Sequence, residues 1–68
     1  MFELVTPERL AEELGITKKT LAQWRYRGAG PRFMKLGGTA HTSPVRYRRT
    51  DIVDWLNAQE IRGGDPVR

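Results

Sequence analysis

Apolar residues recur at helical spacing in three short stretches of this 68-residue chain and mark two short extended stretches, one of them strictly alternating. In the first stretch Leu10, Ala11 and Leu14 form one stripe. Thr6 precedes it as an N-cap, Pro7 suits the first helical position and Glu8 complements the helix dipole. Val5 and Leu10 can form a hydrophobic staple, and Gly15 is a stop. The pattern predicts a helix of about eight residues. Its outer side is acidic and is not expected to lie along phosphates.

The second stretch runs from Ile16 to Gly28. Thr17 is the N-cap, Ile16 and Leu21 repeat the staple, and Gly28 is the stop. At 100° per residue Leu21, Trp24 and the stem of Arg25 fall on one side. Lys19, Gln23, Tyr26 and Arg27 fall on the other, with Lys18, Thr20 and Ala22 flanking. One face is built for burial; the other carries donors, cations and an aromatic ring, and no acid. Only Gly15 and Ile16 lie between the first helix and the second cap, so the two helices must cross steeply, as in a helix-turn-helix.

Ala29-Gly30-Pro31 cannot continue a helix. Arg32 to Leu36 can be a strand, and Val45 to Arg48, with alternating apolar and cationic residues, predicts a second. Gly37 to Pro44 forms the polar tip between them, completing a β-hairpin wing. Phe33 or Met34, Leu36, Val45 and Tyr47 are expected to pack on the helices, because strands this short do not stand alone. Arg49 to Ala58 predicts a third helix, capped by Thr50, with Asp51 and Asp54 near its positive end and Ile61 as a possible extension. Ile52, Trp55 and Leu56 share its buried face, with Val53 at the edge. The expected architecture is mainly α with a small β-hairpin: a winged helix-turn-helix of three short helices and a two-stranded wing. Residues 1–61 form this domain and residues 62–68, after Gly63-Gly64-Asp65-Pro66, a flexible tail.

Composition sharpens the picture in three ways. A chain of this length buries only about 60% of its unfolded surface, so the core is thin. It has no cysteine and no apolar run long enough for a signal peptide or membrane span, which suits the cytoplasm. The net charge of +4 is unevenly spread. Residues 1–15 hold Glu3, Glu8, Glu12 and Glu13 against Arg9. Residues 16–49 hold Lys18, Lys19, Arg25, Arg27, Arg32, Lys35, Arg46, Arg48 and Arg49 and no acid. A segregated basic block in a folded domain is an electrostatic footprint for a nucleic acid.

The order of these elements resembles the MerR-like winged helix-turn-helix of the excisionase family, small phage and mobile-element proteins also called recombination directionality factors. The resemblance is carried by Leu4-Val5-Thr6-Pro7-Glu8, Ala11 to Ile16, Thr20-Leu21, Arg27-Gly28 and Pro31. Its most specific part is the string from Val45 to Leu56, an Arg-aromatic pair shortly before a helix that ends in Trp-Leu. The resemblance implies that the second helix enters the DNA major groove and the wing tip an adjacent minor groove. Lys18, Lys19, Thr20, Gln23, Tyr26 and Arg27, with Thr17 at the cap, would then face the major groove. The tip, around Gly38 to Thr42, departs from the family's short basic wing: it is longer and holds only His41. Phosphate contacts therefore fall to Arg32, Lys35, Arg46 and Arg48 at the wing base.

Gln23 can pair with adenine, and Arg27 can fork onto guanine O6 and N7, or both can hold phosphates or water. Lys18 and Lys19 are read as phosphate contacts. Tyr26 can meet a thymine methyl or a phosphate, or simply lie on the surface. Trp24 and Trp55 belong to the core, and Arg25 is expected to pair with Glu12 or Glu13. His41 lacks the partners of a metal site, no nucleophile–base set can be assembled, and no cofactor is implied. The chain reads as a non-enzyme. The resemblance implies an excisionase that binds repeated sites beside further copies of itself, bends the duplex and directs a partner integrase toward excision. The alternative within DNA binding is a small transcriptional regulator. RNA binding is disfavoured by the lack of an aromatic stacking platform.

Overall fold

Two helices begin and end as their sequences dictate. A computed structural model describes residues 3–37 and 43–59. Helix α1 spans Pro7–Leu14 and α2 spans Lys18–Arg27. The Thr6 hydroxyl accepts from the Arg9 amide at 3.1 Å, and the Thr17 hydroxyl from the Thr20 amide at 3.0 Å. Each cap satisfies a first-turn N–H that has no partner within its helix. Both helices close with the same pair of hydrogen bonds. After α1, Gly15 N–H donates to Glu12 and Ile16 N–H to Ala11; after α2, Gly28 N–H donates to Arg25 and Ala29 N–H to Trp24. This Schellman closure needs a left-handed residue, and Gly15 supplies it at φ 72°.

Among the described residues three strands complete the fold: β1 (Leu4–Val5), β2 (Met34–Lys35) and β3 (Val45–Arg48), followed at once by α3 (Arg49–Asn57). The expected hairpin is β2 against β3, antiparallel, with Met34 opposite Arg46 and Lys35 opposite Val45. Leu36 N–H donates to the Pro44 carbonyl at 2.8 Å and closes it. The chain's extended start adds a strand that the pattern did not predict. β1 pairs with the other edge of β3, Val5 opposite Tyr47, so β3 is the central strand in the order β1-β3-β2. The β2 strand is shorter than Arg32 to Leu36, because Arg32 and Phe33 lie outside the ladder.

The core is thin, as the chain length requires. Val5, Leu10, Ala11, Leu21, Tyr47 and Ile52 are buried, with Leu14, Ile16, Trp24 and Val45 packed against them. The Trp24 and Trp55 rings meet at 5.4 Å between centroids, joining α2 to α3. Gly30, at φ 79°, lies against this contact: a Cβ there would stand 2.9 Å from Trp24 Cε3. Phe33 and Leu36 lie at the margin, partly exposed.

Two expectations for α3 are corrected. Thr50 does not cap it. The capping position is Arg48, which makes no side-chain cap hydrogen bond, and Thr50 lies inside the first turn. The reason is the strand before it: Arg49 N–H donates to the Glu3 carbonyl at 2.9 Å, so the β1–β3 pairing runs directly into the helix. Leu56 is not on the buried face. It is 45% exposed, whereas Ile52 is buried and Trp55 half-buried. The proposed extension to Ile61, the wing tip with His41, and the tail at 62–68 lie outside the described residues. Among the described residues no helix is long and apolar enough to cross a membrane.

Candidate nucleic-acid interface

The face of α2 opposite Leu21 is open to solvent. Lys18, Lys19, Ala22, Gln23, Tyr26 and Arg27 are all exposed on it, and Tyr26 is 93% exposed. An aromatic side chain so little covered contributes almost nothing to the core and is available to a partner. Thr17 and Thr20 lie at the start of the same helix. Their hydroxyls are engaged with each other, Thr17 donating to Thr20 at 3.0 Å, so they chiefly hold the helix start in shape.

Helix α2 lines an open groove of about 500 Å³ through Lys18, Lys19, Ala22 and Arg25. The opposite wall is the start of β3, with Pro44, Val45 and Arg46, and the first turn of α1 closes the end with Pro7 and Glu8. The fold thereby brings Lys18 and Lys19 together with Arg46, although 27 and more positions separate them in the chain. Arg46 is braced by donating Nη1 to the Val45 carbonyl at 2.7 Å.

The remaining wing-base residues spread away from this groove. Lys35 is exposed on β2, opposite Val45. Arg48 is exposed and lies 4.0 Å from Asp51. Arg32 lines a different recess with Gly30, Asp51, Asp54 and Trp55, so it stands beside the acids of α3 rather than among the groove's cations.

Two of the nine central cations are committed to the fold. Arg25 does not pair with Glu12 or Glu13. Its Nη1 donates to the Tyr47 hydroxyl at 2.9 Å, and its guanidinium lies 5.8 Å from the centre of the Phe33 ring. The buried phenol needs a partner, and Glu13 is already held elsewhere. Arg49 forks onto Glu13, with Nη1 to Oε1 at 2.7 Å and Nη2 to Oε2 at 3.0 Å, and its Nε also donates to Glu3. Arg9 adds a contact to Glu13 at 3.1 Å. Hydrogen bonds from Arg49, assisted by Arg9, lower the Glu13 carboxyl to a pKa of about 2 despite some desolvation. The same contacts raise the already high pKa of Arg49.

The spacing of the sequence did not reveal Glu8 as a groove residue. Its place depends on the angle at which α1 crosses α2, and the only available signal was the tight Gly15-Ile16 turn. Among the described residues no cluster of three or more His, Cys, Asp or Glu could hold a metal ion. The family model described as Helix-turn-helix domain matches residues 4–60, which include both helices of the pair, the strands and α3. No curated protein and no solved structure matches the chain.

Proposed function

The chain belongs to the Helix-turn-helix domain family, and from that premise we propose that it is an architectural DNA-binding protein of the excisionase type. Family membership supports sequence-specific binding of double-stranded DNA. The observation that carries this part is the exposed face of α2, which presents Lys18, Lys19, Gln23, Tyr26 and Arg27 without an acid among them. In this reading α2 enters the major groove. Gln23 and Arg27 face base edges, and Lys35, Arg46 and Arg48 at the wing base meet phosphates. Residues 1–61 act as the DNA-binding unit and residues 62–68 as a tail.

The excision role rests on the string Val45 to Leu56 and on a size argument. A single module buries only about 600–1,000 Å² on DNA. Useful affinity then calls for several copies on adjacent repeats, and successive copies bend the duplex. The bent path helps a separate integrase assemble for excision in the cytoplasm of a bacterial host. The integrase performs the chemistry, and this protein supplies shape without catalysis.

Two assays test the reading together: recombination by an integrase encoded beside the gene, and a circular-permutation gel shift on the attachment region. Stimulated excision, suppressed integration and a bend at saturation are expected. Binding without a bend and without effect on recombination would overturn the excision role. If a promoter reporter then responds, the protein is a small transcriptional regulator that uses the same DNA-binding unit.

A further inference from the structure

The groove between α2 and the wing base holds Lys18, Lys19, Arg25 and Arg46 around the small side chain of Ala22, and it also holds one acid, Glu8. The Lys18 ammonium stands 3.9 Å from the Glu8 carboxylate, with the two side chains 65% and 66% exposed. An ion pair this open is weak and changes partners readily. Arg46 uses one Nη1 within the fold, so its further N–H groups are left to donate, while Arg25 behind them is held by Tyr47 and Phe33. Lys19 makes no ion pair among the described residues.

We propose that this groove seats one phosphodiester of the DNA backbone, and that Glu8 is the internal anion the phosphate displaces from Lys18. The inference rests on the DNA-binding reading and goes beyond it by naming the seat and an acid that opposes binding. If α2 lies in a major groove and the wing reaches the next minor groove, the strand dividing the two grooves must pass between α2 and β3. The lined groove is the space between them. Lys18, Lys19 and Arg46 attract a phosphate there, and one carboxylate repels it.

Among the described residues Glu8 makes no side-chain hydrogen bond, and the cap of α1 is Thr6. Its charge complements the dipole of α1 but takes no part in the cap. The seat predicts an unusual sign: removing a charged side chain from the interface tightens binding.

The test uses the full chain and the duplex it selects from a random-sequence library. That duplex is remade with single methylphosphonate substitutions that neutralise one phosphate at a time. Glu8→Gln is expected to tighten binding about three- to tenfold, and Lys18→Met to weaken it by a similar factor, as screened charges a few ångströms apart should. At one methylphosphonate position both effects should fall below about twofold, since the phosphate they share is gone. Circular dichroism confirms that both variants keep the parent's helix content. Unchanged or weaker binding by Glu8→Gln, or equal effects at every methylphosphonate position, would overturn the seat while leaving DNA binding intact. Failure of the parent chain to select any duplex would overturn the DNA-binding reading itself.

Discussion

Arg25 lies on α2 yet packs toward the sheet. Its guanidinium donates to the hydroxyl of Tyr47, a side chain with no exposed surface, and lies over Phe33. That single side chain ties α2 to the central strand behind it. Helical spacing placed Arg25 on the packing side correctly. It could not name the partner, because Tyr47 is 22 positions away and reaches α2 only once β3 is central in the sheet. The acids of the first helix were nearer in the chain and looked sufficient. Tyr47→Phe keeps the ring and removes the acceptor. It should lower stability by about 1–2 kcal/mol in urea unfolding, the range for losing a partly buried hydrogen bond to a charged group. Gly30→Ala should also destabilise, by about 1–3 kcal/mol, because it combines a left-handed backbone with a Cβ against Trp24.

Helices α1 and α2 were legible because their boundaries are written as local chemistry: a threonine that bonds a first-turn amide, and a glycine that turns left. Helix α3 was legible in extent but not in cause. Its start is set by the strand before it, which no local pattern reveals, and β1 is two residues long with no alternation to detect. The cap geometry separates the cases. Thr17→Ala should cost about 1 kcal/mol, whereas Thr50→Ala should stay within about 0.5 kcal/mol, because Thr50 caps nothing.

The junction of α1 with α3 carries a pH dependence. Glu13 has a folded pKa of about 2 against an ordinary 4.5. A lowered carboxyl pKa stabilises the folded state fully above the unfolded value, and that stabilisation fades as pH falls from about 4.5 to about 2. The urea midpoint should therefore fall across this window, and Glu13→Gln should flatten the fall.

Across the whole molecule the central cations divide into two sets, with Arg32 apart beside the acids of α3. Arg25 and Arg49 hold the fold together, while Lys18, Lys19, Arg27, Lys35, Arg46 and Arg48 lie on α2 and the wing base. The basic footprint was legible from the run of residues 16–49 alone. Its division was not, since it depends on which cations the sheet and α1 claim. If about five cations meet phosphates, log K should fall against log salt with a slope of roughly −4 to −5 per protomer, and a flat dependence would contradict the footprint. The central claim is that α2, flanked by the wing base, is the DNA-facing surface. Amide chemical-shift mapping during titration with duplex DNA tests it most directly. The largest shifts are expected at Lys19, Gln23, Tyr26, Arg27 and Arg46, with little change at Arg9, Glu12, Val53 and Leu56. Shifts centred on the outer faces of α1 and α3, with α2 unmoved, would contradict it.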